Sequence, residues 1–113
     1  MTTLVVAVIK PHMLESVRSA LLGAGVVGMT VTEIQGYGRQ GGHSETFRGA
    51  EYQVDFKPKV KIEVLALDDE ADAVTKLLAD SARTGKIGDG KIWTIPVGSV
   101  IRIRTGERDH EAI

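Results

Sequence analysis

The segment V-K-I-E-V-L-A-L-D-D-E-A-D-A-V-T-K-L-L-A-D-S-A-R-T-G-K-I-G-D-G-K-I-W-T-I-P-V, residues 60–97, decides the fold. Val60, Ile62, Val64 and Ala66 alternate with Lys61, Glu63 and Leu65, the period of two of a strand. Asp68, Asp69, Glu70 and Asp72 follow, placing negative charge where a helix opens its positive dipole end. Ala71, Val74, Leu77, Leu78 and Ala82 recur at helical spacing as an apolar stripe. Arg83 near the helix end and Gly85 just beyond it are expected as its cap. After a glycine-rich break, Lys91 to Val97 reads as a strand again, and Pro96 places that strand at an edge or at a break.

Moving outward, the first half repeats the order. Leu4 to Ile9 is a β-branched run closed by Lys10-Pro11, hence a buried strand. From Met13 the pattern turns helical, with Leu14, Val17, Leu21 and Ala24 on one stripe and Gly23 and Gly25 supplying its end. Met29 to Gln35 is a second strand rich in Thr, Val and Ile. Ser99 to Arg104 is predicted as a last one. Two strand–helix–strand units make an α+β fold, a ferredoxin-like βαββαβ sheet with both helices on one face. The other sheet face is left bare, and an aliphatic face on a small chain is most simply buried against another subunit, so a homo-oligomer is expected.

The chain has 113 residues, the length of one domain. It has no cysteine, which excludes disulfides, thiolate zinc sites and a cysteine nucleophile. The 14 basic and 15 acidic side chains nearly cancel, against the basic balance of a general nucleic-acid binder. No apolar run approaches the roughly 20 residues of a membrane span. Met1-Thr2-Thr3 has no basic character that would open a signal peptide, so a soluble cytosolic protein is expected.

Three features break the regular pattern. Gly36 to Pro58 holds five glycines and four of the chain's five aromatic residues, Tyr37, Phe47, Tyr52 and Phe56. A linker would be poor in aromatics, and rings in a solvated loop are what partner surfaces use, so this is read as a recognition loop. Thr84-Gly85-Lys86-Ile87-Gly88-Asp89-Gly90-Lys91 places three glycines and two lysines between helix and strand. Its N–H groups could curl round an anion, or its glycines could only cap and turn. It is not a Walker A loop, which precedes a helix and ends in GK[ST]. Third, Arg102 and Arg104 would share one face of the last predicted strand, with Ile101 and Ile103 on the other. Six basic residues from Arg83 to Arg108 meet only Asp89 and Glu107, and arginine's fork and lysine's point charge suit phosphate. Together the loop and the arginines favour a polyphosphate site over solvated edge charge.

Catalysis has little support. His12, His43 and His110 are lone and widely spaced, Asp89 reads as a turn residue rather than a general base, and no local Ser-His-Asp arrangement is visible. A slow ATPase is the alternative from another class. An RNA-binding module would stack bases on aromatics in its central strands, and Leu4–Ile9 and 60–66 contain none. A metal-handling trimer would want Cys, His or acidic clusters.

The motifs G-Y-G-R-Q-G-G-H-S-E-T-F-R-G-A-E-Y (36–52), T-G-K-I-G-D-G-K-I (84–92) and R-I-R-T-G-E (102–107) make the chain resemble the bacterial PII nitrogen signal-transduction proteins. V-I-K-P at 8–11, G-M-T-V-T-E at 28–33 and V-D-F-K-P-K-V-K-I-E at 54–63 extend the likeness from end to end, and Trp93 with the H-E-A-I ending is similar to actinobacterial members. The resemblance implies one PII-type domain over 1–113, with a loop at about 37–57, a glycine-rich loop at 84–91 and a C-terminal segment at 102–113. It implies a cytoplasmic, non-catalytic homotrimer whose intersubunit clefts bind ATP or ADP and, with Mg²⁺, 2-oxoglutarate. It also implies control of ammonium channels and nucleotidyltransferases through the long loop, with membrane attachment only through such a channel and no nucleic-acid partner. By position, Thr30, Gly36, Gly38, Arg39, Gln40, Gly88, Asp89, Gly90 and Lys91 match the nucleotide cleft, and Arg102 and Arg104 match phosphate ligands from the neighbouring subunit. Gln40, Lys59 and Gly88 match the 2-oxoglutarate site, Gln40 also touching Mg²⁺. Tyr52 matches the tyrosine that relatives modify with UMP or AMP. Gly41 stands where many relatives have lysine and Phe47 where many have tyrosine, while Ala50 removes a serine that some relatives phosphorylate.

Overall fold

The structure, a computed structural model, describes residues 1–37 and 56–113. Strands β1 (Thr2–Ile9), β2 (Thr30–Gly36), β3 (Lys57–Leu67) and β4 (Lys91–Val97) alternate with helices α1 (Leu14–Gly23) and α2 (Ala71–Ala82) in the order β1-α1-β2-β3-α2-β4. The sheet order is β2-β3-β1-β4, antiparallel throughout, which is the expected ferredoxin-like arrangement. β1 is central: Val5 pairs with Val64 on one side and Thr94 on the other. Pro96 lies on an outermost strand, where a residue without an N–H is tolerated.

Alternation divides the sheet cleanly. Val5, Ala7, Ile9, Val60, Ile62, Val64 and Ala66 turn to the helices and join Val17, Leu21, Val74 and Leu78 in one aliphatic core. No described helix lies on the opposite face. Leu4 sits there between Leu65 and Ile95, and Val6 lies opposite Trp93; Leu65, Trp93 and Ile95 are 39%, 43% and 43% exposed.

Each helix stops for a local reason. At α1, the Val26 N–H donates to Leu21 O (2.9 Å) and the Gly25 N–H to Leu22 O (3.0 Å), with Gly25 at φ 88°, a glycine-terminated Schellman end. A 3₁₀ turn, Asp68–Glu70, leads into α2 and carries the acidic cluster read at its start. α2 ends at Arg83 as expected, but not on Gly85. Arg83 leaves in extended backbone (ψ 130°) and pairs with Asp80 (3.1 Å), while the positive φ of Gly85 serves the following loop.

The predicted strand Ser99–Arg104 is a correction. Only Ile101 bridges, to Arg108, and the chain reverses between them: the Gly106 N–H donates to Arg102 O (2.8 Å) and the Arg102 N–H to Glu107 O (2.9 Å). Gly106 takes φ 78°, which the chain needs to turn, so R-T-G-E overrides the β-branched alternation before it. Asp109 closes the base, accepting from the Val100 N–H at Oδ1 (3.2 Å).

No described helix is long and apolar enough to cross a membrane. Leu78 is fully buried at the centre of the helix–sheet seam. Leu78→Ala should lower stability by about 2–5 kcal/mol, measured as a shift in urea midpoint at unchanged m-value.

Candidate functional site

β1 delivers Ile9 and then Lys10 to the end of the sheet where β3 begins and β4 begins. Ile9 pairs with Val60 and Val8 with Lys91, so Lys10, Lys59 and Gly90 occupy adjacent strand ends. Gly90 is required there. Its φ is 105°, and a Cβ would fall 1.7 Å from the Val8 carbonyl oxygen. The dihedral alone would cost another residue about 1–3 kcal/mol. The glycine loop therefore lies directly on β1.

Inside the loop, Asp89 is the organiser. Its Oδ2 accepts from the Thr84 and Gly85 N–H groups, both at 2.9 Å, and its Oδ1 accepts from the Thr84 hydroxyl at 2.5 Å. Lys10 Nζ stands 3.2 Å from the same Oδ1 and donates to Thr84 Oγ1 at 3.0 Å. Thr84 Oγ1 also accepts from the Lys86 N–H (3.1 Å), so both its lone pairs and its proton are engaged. The Thr84 hydroxyl above all holds the Asp89 carboxyl far below the usual carboxylate range; desolvation opposes it as the next largest effect, and the Thr84 and Gly85 N–H groups and then Lys10 add to the lowering. Asp89 is thus the turn residue the sequence indicated, and its oxygens face the loop's own base.

Lys59 approaches from the other side. Its Nζ donates to Gly88 O at 2.5 Å, and its stem lies 3.3 Å from where a Cβ on Gly36 would stand. Gly88 has φ 90°, with Lys10 Cε and Lys59 Nζ each 3.6 Å from its Cβ position. Two lysine side chains thus flank one glycine of an anion-type loop. Beside them Pro11, Glu33, Ile34, Gln35, Pro58, Lys59 and Val60 line a groove of about 410 Å³.

Among the expected site residues, Gly36, Lys59, Gly88, Asp89, Gly90 and Lys91 are gathered at this end of the sheet. Thr30 is at the other end of β2: it pairs with Glu63 and Gly36 with Lys57, a separation of about 20 Å. Arg102 and Arg104 do not share a strand face. Arg102 pairs with Glu107 (2.9 Å), and exposed Arg104 lies in the turn, with no ion pair among the described residues. Gly38, Arg39, Gln40, Gly41, His43, Phe47, Ala50 and Tyr52 lie outside the described residues; at the loop's described stems, Tyr37 and Phe56 meet ring to ring at 5.8 Å. Lys10 and Thr84 were not singled out from the sequence. Lys10 sits in V-I-K-P, where only the proline was informative, and its partners are 74 or more positions away. Among the described residues no group of three His, Asp or Glu could hold a metal ion.

The family model described as Nitrogen regulatory protein P-II matches residues 2–107. The chain is 58% identical over 107 residues to Nitrogen regulatory protein P-II of Klebsiella oxytoca and to Nitrogen regulatory protein P-II 1 of Escherichia coli K12, covering 95% of this chain and 96% of each relative. The P-II protein of Pasteurella multocida is 54% identical over the same length. Among solved structures, Arabidopsis thaliana PII bound to citrate matches with a TM-score of 0.82 and 38% identity, over 99% of this chain and 92% of that one. The fold and the sequence match are those of a non-catalytic signal-transduction family. The chain belongs to the PII nitrogen regulatory family, and the ATPase alternative has no support.

The Asp89 network has a pH signature. A carboxyl whose native pKa is depressed contributes stability that is fully present above the ordinary carboxylate range and is lost as pH falls toward the depressed value. The melting-temperature gap between wild type and Asp89→Asn should therefore be widest above about pH 5 and narrow steadily toward pH 2. A gap independent of pH would show that Asp89 does not titrate as described.

Proposed function

We propose that the chain is a homotrimeric sensor of ATP or ADP and of 2-oxoglutarate, which reports to nitrogen-assimilation targets through its loop at about 37–57. The observation that carries this reading is the convergence of Lys59 on Gly88 O at 2.5 Å, within a positive-φ glycine loop of a nitrogen regulatory protein. A carboxylate ligand can take over Lys59, and the loop's N–H groups suit phosphate. That a plant relative is described as bound to citrate agrees with carboxylate chemistry in this family.

In this reading Thr30, Gly36, Gly38, Arg39, Gln40 and Gly88 to Lys91 hold the nucleotide, Asp89 through its backbone because its carboxylate is engaged at the loop's base, and Thr30 at the far end of β2 meeting the end remote from the phosphates. Arg102 and Arg104 reach phosphate from the adjacent subunit, and Arg102 would exchange Glu107 for it. Gln40, Lys59 and Gly88 hold 2-oxoglutarate. With no acidic cluster among the described residues and the Asp89 oxygens engaged, Mg²⁺ would be held by Gln40 and by the oxygens of the bound ligands, as suits a hard cation. It would neutralise phosphate charge beside the effector. Tyr52 is the modification site, taking AMP or UMP. Ammonium channels and nucleotidyltransferases are the targets, so the protein is cytoplasmic and meets a membrane only through a channel.

Calorimetric titration should show 2-oxoglutarate binding only in the presence of Mg-ATP, and Lys59→Ala should lose the effector while keeping ATP. Equal effector affinity without nucleotide would overturn the coupled site. The trimer is proposed to form on the sheet face opposite the helices, where Leu4, Leu65, Trp93 and Ile95 gather. Leu65→Lys should convert the trimer to monomer in light scattering, because each subunit would then bury an unpaired charge.

A further inference from the structure

We infer that Lys10 is a positioning residue of this anion site, holding and neutralising Asp89 so that the one carboxylate in the glycine loop does not oppose a bound polyphosphate. The inference rests on the nucleotide reading above. The difficulty it resolves is visible in the sequence: G-D-G-K puts an acid between the two glycines that a phosphate would approach. An unmasked carboxylate there would repel the ligand.

The geometry removes the repulsion in two ways. Asp89 is turned toward the base of the loop, where Thr84 and Gly85 supply three donors. Its charge is met by Lys10 at 3.2 Å, in a pair whose side chains are only 19% and 26% exposed. Lys10 comes from a different element, the end of β1, so the bond also ties the α2–β4 connection to the central strand. The second tie is the seat of Gly90 on Val8 O, two residues upstream on that strand. Lys10 and Gly90 therefore fix the loop at two points, and Lys10 alone carries charge. Lys59 is directed at Gly88 O instead and makes no bond to Asp89, so it does not duplicate the role.

Because the effect is electrostatic, it should scale with ligand charge. Full-length wild type, Lys10→Met and Lys10→Arg would be titrated with ATP, ADP and adenosine at fixed salt. Lys10→Met should weaken ATP about tenfold, ADP less, and adenosine within error. Lys10→Arg should recover ATP binding to within about threefold, since it restores the charge. Adding Asp89→Asn to Lys10→Met should regain part of the lost ATP affinity, whereas a purely architectural role would make the double variant worse. Unchanged ATP affinity in Lys10→Met, an equal loss for all three ligands, or a further loss in the double variant would each overturn the inference. A wild type that bound none of the three would bring down the nucleotide reading and this inference with it. Wild-type binding with an indifferent Lys10→Met would bring down the inference alone.

Discussion

The pairing register of β1 is the constraint on which the rest depends. β1 is held on both sides, by β3 and by β4, and its side chains obey a strict period of two. A slip of one residue against either neighbour would expose Val5, Ala7 and Ile9 and drive Leu4 and Val8 into the helices. That cost locks the register, and the locked register sets Lys10 beside the first residues of β3 and the approach to β4. The convergence of Lys10, Lys59 and the glycine loop is thus a by-product of burying aliphatic side chains elsewhere. No local preference of the loop has to create it. Gly90 then translates backbone position into loop position, because only a residue without a Cβ can rest on Val8 O.

The elements that were legible in the sequence are those whose signal is local and repeated. The alternation of 60–66 lies within β3 and the helical stripe from Ala71 to Ala82 matches α2, because Val60, Ile62, Val64 and Ala66 and the helix's apolar side chains meet the same core. The tail was misread for the converse reason. Val100 to Arg104 alternates like a strand, but Thr105 and Gly106 make it more favourable for the chain to pair with itself, as Ile101 does with Arg108. That error also misjudged the charge. Arg83 pairs with Asp80 of α2, which lies outside the stretch from Arg83 to Arg108, and Arg102 pairs with Glu107.

At the site, the glycine loop announced itself by composition, while the residue that ties it down did not. Lys10 has no periodic or compositional mark, and its significance lies wholly in contacts distant in sequence, which a single chain of letters does not encode. Lys59 was indicated only by resemblance, and in the structure it donates to Gly88 O. Asp89, read as a turn residue rather than a general base, bonds the Thr84 and Gly85 N–H groups at the base of the loop.

The Lys59–Gly88 bond carries one more consequence. A carbonyl of the same chain bonded to the ammonium is an internal competitor. Any ligand that recruits Lys59 is weighed against that competitor, so its observed dissociation constant is the intrinsic one divided by the fraction of chains in which Lys59 is already released. The threshold at which such a protein responds is then a property of the loop backbone as much as of the ligand. It can drift through changes around Gly88 that never touch the ligand, which gives a sensor of this build a way to be recalibrated without being redesigned.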